Sequence, residues 1–235
     1  MTRTILLPLL LAPLAFTSQA APPLKLEKGD QVALVGAGLG SRMGKFHHFE
    51  TELYLRHPGH ELVIRNLCDE GNTPAFRPQP GRNHQGQYAF PGAKELLPVE
   101  LQTDSRPSGH RQTPDQWLTE VGADVVIAFF GYNSSFEGRK GVERFRKELS
   151  AFVDHTLAQK YNGESAPRLV LVSPTAFENL SSQQDTPSGV TENTNLSLYS
   201  EAMRQVAREK KIGYVDLFGP TLKLFSENGR HTQDG

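Results

Sequence analysis

The feature that most constrains the fold of this chain is a continuous apolar run near its middle. Val125 to Phe130 are all apolar and follow directly on Asp124. A strand with one solvated face alternates apolar and polar residues, whereas a strand covered on both faces is apolar throughout. The run therefore predicts a central strand of a parallel sheet that has helices on both sides.

Strands and helices alternate along the rest of the chain. The other strand candidates are Gln31 to Val35, Leu62 to Leu67, Arg168 to Val172 and Tyr214 to Leu217. Apolar residues at helical spacing separate them, and Leu196 to Ala207 mark the last helix that the pattern predicts. This order predicts one α/β domain with an open, doubly wound, flavodoxin-like parallel sheet in three layers. In such sheets the binding site lies beyond the carboxyl ends of the strands.

The first 20 residues have the pattern of a signal peptide. Arg3 gives a positive start, Ile5 to Phe16 are mostly apolar, and small residues end the segment at Ala20. The apolar stretch is shorter than the roughly 20 residues that cross a bilayer. We therefore expect export to the periplasm or the medium, a mature domain over residues 21–235, and no membrane contact after cleavage.

Charge and cysteine content exclude several classes of protein. The net charge is −1 and the basic residues are dispersed, which argues against nucleic acid as a partner. Cys68 is the one cysteine, so the chain has no internal disulfide, and its place at the end of an apolar run predicts a half-buried, inert thiol.

Residues 74–112 break the regular pattern. Pro, Gly, Gln and His dominate the segment and no period holds. Long irregular segments in compact domains are functional insertions or mobile loops. We expect order to resume with Thr113 as a helix cap and Pro114 in the first helical position.

Three predicted strand ends carry motifs that resemble the SGNH (GDSL) hydrolases. These are Gly36-Ala37-Gly38 after the first strand, Gly71 after the second and Gly131-Tyr132-Asn133 after the third. The wider pattern is similar to the exported, planctomycete-type members of that family, in stretches such as Gly40-Ser41-Arg42-Met43. The resemblance covers residues 30–235 and implies an SGNH-hydrolase type of fold and activity on ester bonds.

The resemblance assigns roles to particular residues. Gly71 and Asn133 are expected to form the oxyanion hole, the pair of N–H donors that binds the developing negative charge on the ester oxygen. Gly38 falls at the nucleophile position, where the family has serine, so the nucleophile motif is altered. Ser41 is the nearby hydroxyl that could substitute for it, although a role as the N-cap of the following helix is favoured.

The family's Asp-x-x-His pair has two possible alignments near residue 235. In one, Asn228 and His231 take that spacing, and His231 is the base. In the other, which is favoured, Asp234 is the acid and the histidine lies two residues beyond Gly235. Related exported proteins carry a haem-binding module further along the chain. No Cys-x-x-Cys-His motif occurs here, so no cofactor is assigned.

Other readings of the sequence are weaker. Gly36-x-Gly38-x-x-Ser41 is an incomplete dinucleotide motif, and the spacing of a phosphate-binding loop is not met. His47-His48 and the pair His57 and His60 lack the arrangement of a metal site, so no metal is expected. Two hypotheses remain open: an esterase that acts on an acyl or carbohydrate ester, and a non-catalytic domain that binds such a ligand on a degenerate hydrolase scaffold.

Overall fold

A five-stranded parallel sheet in the order β2-β1-β3-β4-β5 forms the centre of the protein. The computed structural model describes residues 24–78, 87–102, 112–227, 230–233 and 235. The strands are β1 (Gln31–Gly36), β2 (Val63–Asn66), β3 (Val125–Phe129), β4 (Arg168–Val172) and β5 (Gly213–Val215). The helices are α1 (Gly38–Phe46), α2 (His48–Arg56), α3 (Pro114–Val121), α4 (Tyr132–Ser135), α5 (Val142–Leu157), α6 (Val190–Lys210) and α7 (Phe218–Phe225).

The apolar run that predicted a central strand lies in the middle of this sheet. Every residue of β3 is buried, and the strand pairs in parallel with β1 and with β4. Val126 and Ala128 face the core that includes α3, α5 and α6, whereas Val125 and Ile127 face the core that packs against α1 and α2. The strand order and the covered faces confirm the predicted doubly wound, three-layer architecture.

Some helices differ from their predicted positions. Between the first two strands, the helical spacing of Phe46, Phe49 and Leu53 predicts one helix. The structure has two, because His47 takes a left-handed conformation with φ 55° and ends the first of them. Ser41 does not cap the first of them: α1 begins at Gly38 after Ala37, so Ser41 lies within its first turn. The sequence pattern also missed α7, whose apolar residues run together with those of β5.

The described parts of the irregular segment 74–112 pack into the domain. Phe76, Phe90 and Leu97 are buried in the core that covers one face of the sheet. Short 3-10 helices span Ala93–Leu96 and Val99–Leu101. Apolar anchoring explains why this segment has defined structure despite its lack of sequence period.

Thr113 caps α3 as predicted, since its hydroxyl accepts the Gln116 N–H and the Gln116 side chain accepts the Thr113 N–H. Among the described residues, no helix is long and apolar enough to cross a membrane. The predicted signal peptide lies outside the described residues.

Candidate functional site

The carboxyl ends of β1 and β3 meet at the switch point of the sheet. Gly36 pairs with Phe129, and the Ala37 N–H donates to the Phe129 carbonyl at 2.8 Å. Gly36 has φ 115°, and a Cβ there would overlap the Phe129 carbonyl. The glycine is therefore required for the chain to turn out of β1 directly above the end of β3.

Gly38, at the predicted nucleophile position, opens α1 beside this switch point. Unlike Gly36 it has no left-handed φ, and a Cβ at Gly38 would have no atom within 4 Å. Gly40, two residues further along α1, is tightly packed, because a Cβ there would overlap the Cys68 thiol. The nucleophile position therefore has room for a side chain but carries none.

The structure links Asn133 to the residue that follows Gly71. Asn133 Nδ2 donates to the carbonyl of Asn72, the residue after Gly71, at 3.0 Å. Asn72 in turn donates from its own Nδ2 to the Gly36 carbonyl at 3.1 Å. The exits of β1, β2 and β3 are thus linked by two side-chain amides, and Asn72 is a member of the site that the sequence did not single out.

These donors have capacity left for a ligand. Gly71 has φ 85°, and no acceptor among the described residues takes its N–H. Asn133 uses one of its two Nδ2 hydrogens on Asn72 and has a second. An oxyanion hole uses donors of these two kinds, a backbone N–H and a side-chain amide.

Ser41 lies one helical turn beyond Gly38. Its N–H donates to the Ala37 carbonyl at 3.2 Å, and its hydroxyl has no partner within the described part of the chain. Residues three apart share one side of a helix, so Ser41 and Gly38 face the same general direction.

The carboxylate of Glu178 holds His231 through its backbone and not through its ring. Its N–H donates to the carboxylate of buried Glu178 at 2.9 Å, and the Thr232 N–H and hydroxyl donate to the same group at 2.6 Å. Burial alone would raise the pKa of Glu178, but these hydrogen bonds from Thr232 and His231 outweigh it and lower the pKa. The carboxylate therefore remains charged and anchors the end of the described chain.

The His231 ring is exposed and stacks against Phe225, with 5.8 Å between ring centroids. Within the described ranges it makes no hydrogen bond to Gly38, Gly71 or Asn133. Among the described residues, Asn133 is thus linked to the residue after Gly71, whereas His231 makes no such hydrogen bond. Asp234 lies outside the described residues.

A buried arginine lies behind the same strand ends. Arg77 belongs to the irregular segment, lies 4.7 Å above the ring of Trp117 and donates from Nη1 to the Gln112 carbonyl at 3.3 Å. Burial lowers the pKa of its guanidinium to about 10, against the opposing charge of Asp69. Sequence reasoning missed Arg77, because nothing in a Pro-rich, aperiodic stretch separates a buried arginine from a solvated one.

Cys68 is half-buried, and its predicted inertness fits its surroundings. Burial, and then the neighbouring charge of Asp69, raise the pKa of the Cys68 thiol well above its usual range. A thiol that is held neutral is a poor nucleophile and a poor metal ligand. The described residues contain no group of three or more His, Cys, Asp or Glu side chains placed to hold a metal ion.

This chain is similar to known proteins in its structure and not in its sequence. No family model matches the sequence, and no curated protein matches it. The chain is similar to LAE5, an α/β hydrolase enzyme from the metagenome of Lake Arreo, Spain, with 15% identity and a TM-score of 0.53 over 86% of this chain and 83% of that chain. It is also similar to a catalytic mutant of Axe2, an acetylxylan esterase from Geobacillus stearothermophilus, with 14% identity and a TM-score of 0.51 over 86% and 83% of the two chains.

A third similar structure is BT4096, a gut microbial diltiazem-metabolizing enzyme, with 15% identity and a TM-score of 0.54 over 88% of this chain. This chain spans 40% of that enzyme's length. At these identities the likeness concerns the fold alone. The predicted α/β fold class of the hydrolase and esterase type is confirmed.

Proposed function

We propose that this chain binds an acyl or carbohydrate ester at the carboxyl ends of β1 and β3, as an SGNH-type protein in which Gly38 replaces the nucleophile. The observation that supports the proposal is the proximity of two donors with unused hydrogens at one corner. Asn133 contacts the residue that follows Gly71, and the Gly71 N–H has no acceptor among the described residues.

Neutral N–H donors suit the carbonyl oxygen of an ester. Each hydrogen bond to a neutral carbonyl contributes about 0.5–1.5 kcal/mol net to binding. The same donors contribute more, about 2.7–4 kcal/mol, when negative charge develops on that oxygen during acyl transfer. The corner therefore recognises an ester whether or not the chain also cleaves it.

Gly38 supports binding over cleavage. A glycine offers no atom that can attack the carbonyl, so the covalent step of serine hydrolases has no nucleophile at this position. In this reading the chain is a non-catalytic, ester-binding domain. The signal-peptide pattern of residues 1–20 supports a ligand outside the cytoplasm. The similarity to an acetylxylan esterase supports a carbohydrate ester as the ligand.

Ester hydrolysis is the second candidate, and Ser41 is the observation that favours it. Its hydroxyl has no partner within the described part of the chain and lies on the same side of α1 as Gly38. Among the described residues the His231 ring makes no hydrogen bond to this hydroxyl, and general bases contribute about 10²- to 10⁴-fold to such rates. Hydrolysis through Ser41 would therefore be slow.

Binding and hydrolysis are separated by two measurements on the mature protein. Saturation-transfer NMR with an acetylated xylo-oligosaccharide, and with its deacetylated form as the control, reports ester binding. We expect a saturation-transfer signal from the acetylated oligosaccharide, at its acetyl protons, and none from the deacetylated control. Asn133→Ala should lose this signal. Equal signals from both oligosaccharides, or an unchanged signal in Asn133→Ala, would contradict the proposal.

Hydrolysis of p-nitrophenyl acetate, with a fluorophosphonate probe alongside, reports catalysis. We expect no turnover and no labelling of the wild-type protein. Turnover that disappears in Ser41→Ala would instead establish the second candidate, with Ser41 as the nucleophile.

A further inference from the structure

Two aromatic side chains of α4 are open to solvent beside the proposed ester site. Tyr132 and Phe136 have 43% and 71% of their surface exposed. Their rings lie edge to face, with 5.4 Å between the ring centroids. Contiguous exposed apolar surface marks binding sites, whereas single exposed apolar side chains are ordinary. Tyr132 and Phe136 therefore form an aromatic platform that a ligand could cover.

Helical spacing fixes the position of the aromatic platform relative to Asn133. Phe136 keeps a helical backbone, with φ −62° and ψ −19°. Successive residues are about 100° apart around a helix, so Phe136 lies about 40° from Tyr132 and about 60° from Asn133, between the two. Side chains three and four residues apart are neighbours, with about 5–6 Å between their Cβ atoms. Phe136 is therefore adjacent to Asn133, whose amide donates to the Asn72 carbonyl.

The opposite side of α4 holds the aromatic platform in place. Ser134 and Ser135 are buried, and the Ser135 hydroxyl donates to the Tyr132 carbonyl at 2.7 Å. Gly131, at the start of the helix, packs closely against Met203. The backbone that carries the two rings is thus fixed before any ligand binds. A preorganised surface gains affinity because little ordering is left for the binding step.

The exposure of the aromatic platform favours one part of an ester over the other. An ester whose carbonyl contacts Asn133 can place either its acyl part or its alcohol part over Phe136. An alkyl chain gains most when it leaves water on all sides, and an open platform leaves one side hydrated. A sugar ring has an apolar face of C–H groups and hydroxyls at its rim. On an open platform that face packs on the aromatic ring while the hydroxyls keep their hydrogen bonds to water.

We propose that the aromatic platform binds a sugar ring of the ester ligand, with the C–H face of the sugar on Phe136 and Tyr132 beside it. The ligand is then an ester whose alcohol part is a carbohydrate. This inference rests on the proposed ester site, because Asn133 joins the two. An open platform adds affinity to a bound ester and does not hold the deacetylated sugar by itself.

Matched esters test the proposal on the wild-type protein. The monoacetates of methyl xyloside and of xylitol carry the same acyl group, and their alcohol parts differ in being a ring or an open chain. We expect the ring ester to bind about 10-fold more tightly in an NMR titration, the effect of one aromatic contact. Its saturation-transfer signals should be strongest at the protons of one face of the sugar. Equal affinities for the two esters would overturn the proposal.

Variants assign the preference for the ring ester to the aromatic platform. Phe136→Ala should bring the two esters to the same affinity, and Phe136→Trp should keep the preference. Phe46→Ala is the matched control and should also keep it. Phe46 is 67% exposed, but it ends α1, about 12 Å along the helix from Gly38. A ring preference that survives in Phe136→Ala would contradict the proposal.

The acyl part is tested with acetate, butyrate and hexanoate monoesters of xylitol. We expect affinity for these esters to depend on acyl length in the same way in the wild type and in Phe136→Ala. A gain in affinity with acyl length that Phe136→Ala abolishes would assign the aromatic platform to the acyl chain and overturn the proposal.

Failure of this inference is distinguishable from failure of the ester site. Binding of the acetylated oligosaccharide that depends on Asn133 but not on Phe136 would leave the ester site standing and refute the sugar contact. Equal binding of the acetylated and deacetylated oligosaccharides that depends on Phe136 but not on Asn133 would do the reverse.

Discussion

Replacement of Gly38 with serine returns a hydroxyl to the position where SGNH hydrolases are expected to have their nucleophile. The structure accepts this change, because a Cβ at Gly38 meets no atom within 4 Å and its backbone is not left-handed. Serine is a better helix former than glycine by a few tenths of a kcal/mol, and it restricts the unfolded chain by about 0.4–1 kcal/mol. We expect the free energy of unfolding of Gly38→Ser to equal that of the wild type or to exceed it by up to about 1 kcal/mol.

The chemical consequence is measured with a fluorophosphonate probe and intact-protein mass spectrometry. We expect the wild type to remain unlabelled and Gly38→Ser to gain one adduct, mapped to the substituted position. Labelling will be slow, because no general base contacts this position among the described residues. In the Gly38→Ser background, Asn133→Ala should slow labelling about 10²-fold or more, since the adduct forms through a charged oxygen held by that amide.

Gly59→Ser is the matched control. A Cβ at Gly59 also has no atom within 4 Å and an ordinary backbone, but the residue lies in the turn after α2, at the opposite end of the β1–β2 crossover. It therefore adds the same hydroxyl at a site without oxyanion donors. If folded Gly38→Ser is labelled no faster than Gly59→Ser, the strand ends do not form an oxyanion hole and the proposed site is wrong.

Three further predictions concern the framework of the site. Gly36→Ala should lower the free energy of unfolding by about 3 kcal/mol or more, measured by urea denaturation, because the methyl group overlaps the Phe129 carbonyl at a left-handed backbone. Burial raises the pKa of Glu148 to about 7, so the contribution of this residue to stability should be greatest below about pH 4.5 and should be lost as the pH rises through 7. Glu148→Gln should remove this fall of roughly 3 kcal/mol. Glu178→Ala should speed tryptic cleavage after Arg230, because it removes the acceptor of two backbone N–H groups and a hydroxyl.

Each of these predictions has a control on the same protein. Gly59→Ala should leave stability within about 0.5 kcal/mol of the wild type or raise it. Glu143→Gln, at an exposed position of α5, should leave the pH dependence of unfolding unchanged. Glu192→Ala should leave cleavage after Arg230 unchanged. Stability curves of Glu148→Gln and the wild type that run parallel from pH 4 to 8 would show that Glu148 is not the group responsible.

The sheet could be predicted because its signals are local. Burial of β3 on both faces forces a continuous apolar run, and the glycines after β1, β2 and β3 are needed for turns with positive φ. A shared site for Gly71 and Asn133 is suggested only by a family resemblance, since each residue alone has an ordinary role in a turn.

The rest of the site depends on contacts that are distant in sequence. Asn72 and Gly36 are separated by 36 positions, and Asn133 and Asn72 by 61. Hydrogen bonds of this kind leave no period in the sequence. Burial of Arg77 follows from how an aperiodic segment folds over α3, which no local pattern encodes. The break between α1 and α2 was missed for a related reason, because a single left-handed residue, His47, ends a helix whose apolar spacing continues.

The polar residues at the strand ends have structural roles whatever the ligand. Gly71 permits a left-handed turn, and Asn133 joins the exits of β2 and β3. Arg77 lies over the Trp117 ring and donates to the Gln112 carbonyl, so it too holds the fold together. The presence of these residues beside Gly38 is therefore compatible both with a ligand site and with a scaffold alone. The comparison of Gly38→Ser with Gly59→Ser separates the two, because only oxyanion donors aimed at the strand ends make labelling faster at position 38.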